Sequence, residues 1–355
     1  MKRYFIVGSL LAMGFFAGAA GTEAQSAILN LPRASQHARS TQRIGLTDIT
    51  IDYHRPLVGG RKIFGGLQAY GKVWRAGANE NTSIEFSDAV TVEGQPLPKG
   101  VYGLHMIPGE TSWVVIFSKN FTSWGSFTYD PAEDALRVTV KPKTIENHDA
   151  LSYEFDGPQP NSVVITMEWE KVAVPFKVEV NTTEITAQSL RNQLRSRAQF
   201  EWQPWMEAAN YLLINKLSAE EAVKYVDSSI ANEDRFENEI TKSRALTVLG
   251  RKEEASAAQD KAIALGTQPQ VHNFARGLQA QGRFDEALDL FRANIKKDPN
   301  SWVAHNETSR LAVAKGDFDT AVKEMKLAAA ASPETLKDQH VDLVRRLQDK
   351  ENINN

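Results

Sequence analysis

Near Thr183 the hydrophobic pattern of the chain changes period, and that change demands two differently built halves. From about Asn30 to Val180 apolar residues recur at every second position. Ile49, Ile51 and Tyr53 share one face, while Thr50, Asp52 and His54 share the other. The same alternation runs through Leu136, Val138 and Val140 and through Val163, Ile165, Met167 and Trp169. The run WVVIF (113–117) is apolar on both faces and suits a central strand. Turn-forming clusters separate the runs, at 93–100, 108–110, 129–134 and 156–161. Short strands at this spacing predict an all-β sandwich or barrel-like domain over 30–182.

Beyond Thr183 a longer period takes over. Ala222, Ala255, Ala287 and Ala321 follow one another at 33, 32 and 34 residues, each within a similar phrase: SAEEAVKYV, KEEASAAQD, RFDEALDLF and DFDTAVKEM. Gly250, Gly282 and Gly316 stand five residues before their alanines, and Pro299 and Pro333 twelve after theirs. This pattern resembles the tetratricopeptide repeat, in which small residues sit where two helices touch. The first two units are degenerate, with Leu217 in the glycine position and Thr267 in the proline position. A helical hairpin cannot bury its apolar stripe alone, so about four must stack. The prediction is an all-α tetratricopeptide-like solenoid over 204–355, entered through a linker helix at 183–203 and capped by a helix from Pro333 to Asp349.

The N-terminus has a different grammar. Lys2 and Arg3 precede the apolar run YFIVGSLLAMGFFAGAA, and Thr22-Glu23-Ala24 follows as a cleavage triplet, so residues 1–24 read as a secretory signal peptide. The chain has no cysteine, which excludes disulfides, thiol chemistry and cysteine–zinc sites. A formal charge of −3 with no long run of one sign argues against nucleic acid as a partner. The expected location is periplasmic or secreted, with no transmembrane anchor left in the mature chain.

The stretch GGLQAYGKVWRAGAN (65–79) matches the spacing of a phosphate-binding loop through Gly66, Gly71 and Lys72. Such a loop needs a hydroxyl after the lysine and a helix beyond it; here Val73 follows, then loop and strand. Nucleotide binding is rejected. Six of the 22 glycines lie between Gly59 and Gly77, interleaved with Arg61, Lys62, Lys72, Arg75, Phe64, Tyr70 and Trp74. A long loop of this composition is ordered and suited to function.

The whole motif HRPLVGGRKIFGGLQAYGKVWRAGANENTSIEF, with KGVYGLHMIPG (99–109), WVVIFSKNFTSWGSF (113–127) and VVITMEWEKVAVPF (163–176), resembles a domain-of-unknown-function family of exported Gram-negative proteins. The resemblance spans about Leu31 to Val180. It implies a β-rich envelope domain, sometimes fused to helical repeats, and brings no activity or site residue with it.

Two surfaces remain as candidates. Arg55, Arg61, Lys62, Lys72 and Arg75, with Tyr70, Trp74 and Asn79, could line a cationic aromatic pocket for an anionic or carbohydrate ligand. The competing reading makes the same loop an architectural closure of one end of the sandwich. In the repeats, Trp302, His305 and Asn306 fall on the first helix of the last repeat, where a partner protein or peptide would lie. His54 and His105, with Asp52 or Glu85, could meet only if their strands pair, and no close-spaced ligand motif supports a metal or other cofactor. Motifs of the G-x-S-x-G and S-x-x-K kind are absent, and Glu168 and Glu170 read as a solvated strand face. Trp202 and Trp205 read as staples of the first hairpin or of the seam between the halves. The chain is therefore expected to be a binding scaffold; the alternative is an enzyme acting on an anionic or carbohydrate substrate at loop 54–81.

Overall fold

The computed structural model describes residues 32–355, so the segment read as a signal peptide lies outside the described residues. The chain divides into two compact units, Met1–Val180 and Asn181–Asn355.

The first unit is built of strands β1 (Gln36–Ile44), β2 (Thr47–Arg55), β3 (Ser83–Phe86), β4 (Val90–Val92), β5 (Gln95–Leu97), β6 (Gly100–Ile107), β7 (Trp113–Ser118), β8 (Asp134–Val140), β9 (Lys143–Gln159) and β10 (Ser162–Val180). They form a six-stranded sheet in the order β1-β2-β3-β6-β7-β8 and a four-stranded sheet in the order β5-β4-β10-β9. All pairings between them are antiparallel. The alternation seen in the sequence becomes the core. Ile49, Ile51 and Tyr53 are buried from one sheet, and Val163, Ile165, Met167 and Trp169 from the other. Aromatic contacts join the sheets: Phe117 of β7 meets Phe176 of β10 at 6.0 Å, and Tyr53 of β2 meets Tyr153 of β9 at 4.9 Å. The result is a β-sandwich.

The second unit holds α1 (Thr182–Gln193), α2 (Trp202–Ile214), α3 (Ala219–Asn232), α4 (Phe236–Val248), α5 (Lys252–Leu265), α6 (Gln268–Ala280), α7 (Phe284–Asn294), α8 (Trp302–Ala314), α9 (Phe318–Ala331) and α10 (Glu334–Gln348). The pairs α2/α3, α4/α5, α6/α7 and α8/α9 are the four hairpins, and α10 follows them. The repeating alanines 222, 287 and 321 are fully buried, and Ala255 nearly so, because a methyl group is all that fits where two helices touch. Helix α1 joins this unit through the buried Ala187, packed with Ala209, Leu212 and Val226. Trp205 staples the first hairpin, its ring 5.5 Å from Tyr225 of α3. No described helix is long and apolar enough to cross a membrane.

Candidate functional site

The glycine-rich loop after β2 folds inward. Its Trp74 makes an isolated bridge with Met106 of β6, exchanging both backbone hydrogen bonds at 2.8 Å. That bridge points the indole into the core, where it is 4% exposed and donates to the Gly77 carbonyl at 3.1 Å. There it stacks on Trp169 at 5.6 Å, while Phe64 fills the space between Trp74, Trp113 and Trp169 at 5.9, 4.8 and 5.9 Å. Glu170, whose backbone turns out at φ +57° where the β9–β10 register shifts, accepts the Ile63 and Phe64 amides at 3.3 and 3.5 Å. Gly65, at φ +74°, lies beneath the Tyr70 ring, which a Cβ would meet at 2.7 Å.

The predicted cationic aromatic pocket therefore does not assemble. Arg55 donates to the Leu151 carbonyl at 2.9 Å, and Arg61 donates to the carbonyls of Val58 and Leu57. Trp74 is buried, Asn79 donates to the Ser35 carbonyl at 3.3 Å, and Lys62 and Lys72 stand in solvent. Tyr70 is half-exposed over its glycine, and the half-buried Arg75 guanidinium lies 5.9 Å from the centre of the exposed Trp124 ring. Backbone carbonyls need donors, and Arg55 and Arg61 supply them; the buried Arg75 Nε has no partner among the described residues. An open depression of about 530 Å³ does lie in this unit, but Pro32, Arg33, Ser35, Gln36, His37, His54 and Glu80 line it, and none of the eight predicted residues does.

The histidines are also kept apart. Strand β3 separates β2 from β6, so His54 faces His37 at 5.2 Å and Glu80 at 3.5 Å instead of His105. His105 is buried against the Ser126 hydroxyl at 2.9 Å, and burial holds its imidazole down at about 4. Among the described residues no three His, Asp or Glu side chains stand close enough to hold a metal ion.

The helical unit has the better-formed site. A groove of about 350 Å³ opens between α6, α8 and α10. His272, Asn273 and Arg276 line it from α6, Trp302, Asn306 and Arg310 from α8, and Leu336, Gln339, His340, Leu343 and Arg346 from α10. Ile353 and Asn355 also line it. Arg310 is only 4% exposed; its Nε donates to the Asn306 carbonyl oxygen at 2.9 Å and its Nη1 to the Ile353 carbonyl. With that oxygen engaged, the Asn306 amide faces His340 Nε2 at 3.0 Å and donates to it. The His340 proton then sits on Nδ1, a buried atom with no partner among the described residues. Burial pulls Arg310 down to about 9 and lowers His340 and Arg276 as well. At the groove wall His272 Nδ1 lies 3.2 Å from the buried Glu307 Oε1, which also accepts from Asn294 at 2.8 Å. Burial pushes Glu307 up to about 8 and His272 down to about 3, so both are neutral near pH 7.

Of the three predicted residues on α8, Trp302 and Asn306 line the groove. His305 does not: it turns to Glu324 of α9, 2.7 Å away. The arginines and His340 escaped the sequence reading although a signal was present. His272, Asn306 and His340 are successive steps of 34 residues, and so are Arg276 and Arg310.

Residues 35–178 match the family model described as Protein of unknown function (DUF2911). The DUF2911 segment thus covers the strands from just before β1 almost to the end of β10. Among solved structures the chain is similar to MamA, at 18% identity and a TM-score of 0.30 over 44% of this chain and 92% of that one. It is also similar to YrrB, described as a TPR protein with an unusual peptide-binding site, at 17% identity and a TM-score of 0.27 over 46% and 84% of the two chains. No curated protein matches the chain.

Proposed function

We propose that the protein is an exported, non-enzymatic binding scaffold whose helical unit holds an extended segment of a partner protein. The observation that carries this reading is the groove between α6, α8 and α10, where polar side chains from three helices converge on one opening. Export is supported by the sequence of residues 1–24 alone. The enzyme reading at loop 54–81 loses its basis, since Arg55 and Arg61 are bonded to main-chain carbonyls and Trp74 is in the core.

A photo-crosslinking amino acid at Asn273, exposed in the groove, is expected to capture a partner in intact cells. The same group at Lys326, exposed on α9 and outside the groove, is expected to capture none. Equal capture at both positions, or none at Asn273, overturns the scaffold reading. Export is checked separately by sequencing the N-terminus of the mature chain, which should begin just after Ala24.

A further inference from the structure

We infer that the groove reads acidic side chains, Asp or Glu, spaced along an extended partner segment, through a row of arginines contributed one per helix. This deepens the scaffold reading and rests on it. Arg276 of α6, Arg310 of α8 and Arg346 of α10 all line the same opening, with no Asp or Glu among the lining residues; Arg346 is paired outside it with Glu351 at 2.7 Å. Arg276 and Arg310 form no ion pair among the described residues: Arg276 donates to Gln279, and Arg310 to an amide and a carbonyl. A guanidinium buried as deeply as Arg310 without a counter-charge is costly to the fold. An incoming carboxylate supplies that missing charge and can accept from the guanidinium N–H groups that the two Arg310 bonds leave free. The unpartnered His340 Nδ1 offers a further donor beside it. Trp302, half-buried with its ring 5.4 Å from His340, gives the segment an apolar wall.

Spacing sets the expected register. Packed helices lie about 8–10 Å apart, and an extended or polyproline-like chain advances about 3.1–3.3 Å per residue. Acidic residues three positions apart therefore match the step from Arg276 on α6 to Arg310 on α8, two helices in direct contact. Two capped, dye-labelled peptides, one with Glu at every third position and one with Gln there, are titrated into the purified chain by fluorescence anisotropy. A third peptide carries the Gln sequence with a free C-terminal carboxylate. The Glu peptide is expected to bind at least about tenfold more tightly than either other, and to weaken as salt rises. Arg276→Gln should cost about tenfold or more, Arg276→Lys should restore part of it, and Lys326→Gln should change nothing. Circular dichroism melts confirm that each variant is folded.

Equal binding of the Glu and Gln peptides, a preference for the free C-terminus, or indifference to Arg276→Gln overturns the acidic-side-chain inference. If crosslinking at Asn273 still captures a partner, the scaffold reading survives that failure. If it does not, both fall together.

Discussion

Glu307 has no exposed surface, and one of its oxygens has no partner, so the folded chain keeps it protonated up to about pH 8. Its unfolded carboxyl ionises near 4.5, as free glutamate does. The raised pKa is therefore a stabilising term present below about 4.5 and lost as pH rises to about 8. His272, held down at about 3, has the opposite slope: its term is present above about 6.5 and lost as pH falls towards 3. Glu307→Gln keeps the shape and removes the first titration. Urea melts should show the wild type losing a few kcal/mol relative to Glu307→Gln between pH 5 and pH 8.5, and parallel curves would refute the assignment. Trp74 carries a second expectation. Its indole is locked against Phe64 and Trp169, so Trp74→Ala should cost about 3–5 kcal/mol in denaturant melts. Lys72→Gln, in solvent two residues earlier, should stay within about 0.5 kcal/mol of wild type. The composition of the loop was legible in its letters, but the direction of its side chains was not. One bridge to Met106 turns Trp74 inward, and that pairing joins residues 32 positions apart.

At the scale of elements, the helical hairpins were the most legible part. Gly250, Gly282 and Gly316 all lie at positive φ, +73°, +79° and +77°, in the turns their sequence position implied. The first hairpin has no such glycine, and its left-handed residue is Lys216, φ +53°, one place before the Leu217 read as the substitute. Lys216→Gly should therefore raise stability by up to about 1 kcal/mol by relieving the Cβ clash. Gly282→Ala should lower it by about 1 kcal/mol, on backbone grounds alone, since a Cβ there meets nothing within 4 Å. Thermal melts followed at 222 nm check both signs. The strands were readable by alternation, but the register shifts around Glu170 were not, because a bulge changes no residue type. That bulge puts Glu170 onto the amides of Ile63 and Phe64 and makes a residue read as solvated part of the loop's anchorage.

Across the whole molecule, the two units have separate cores, so lesions should be felt where they are made. Trp74→Ala is expected to lower the transition seen in the near-ultraviolet signal of the stacked indoles, and Gly282→Ala the one seen in helical content. A shift of both signals by either variant would show coupling. The sequence spoke clearly about this division because hydrophobic period is written locally. It was less clear about the groove, whose lining comes from three helices and shows only when residues 34 apart are laid side by side. That arithmetic has an evolutionary corollary. A hairpin meets chiefly its neighbours in the stack, so duplicating the stretch that carries Arg276 would extend the groove by one rung and one positive charge. Reach and valence in this molecule can grow by copying, without inventing a new surface.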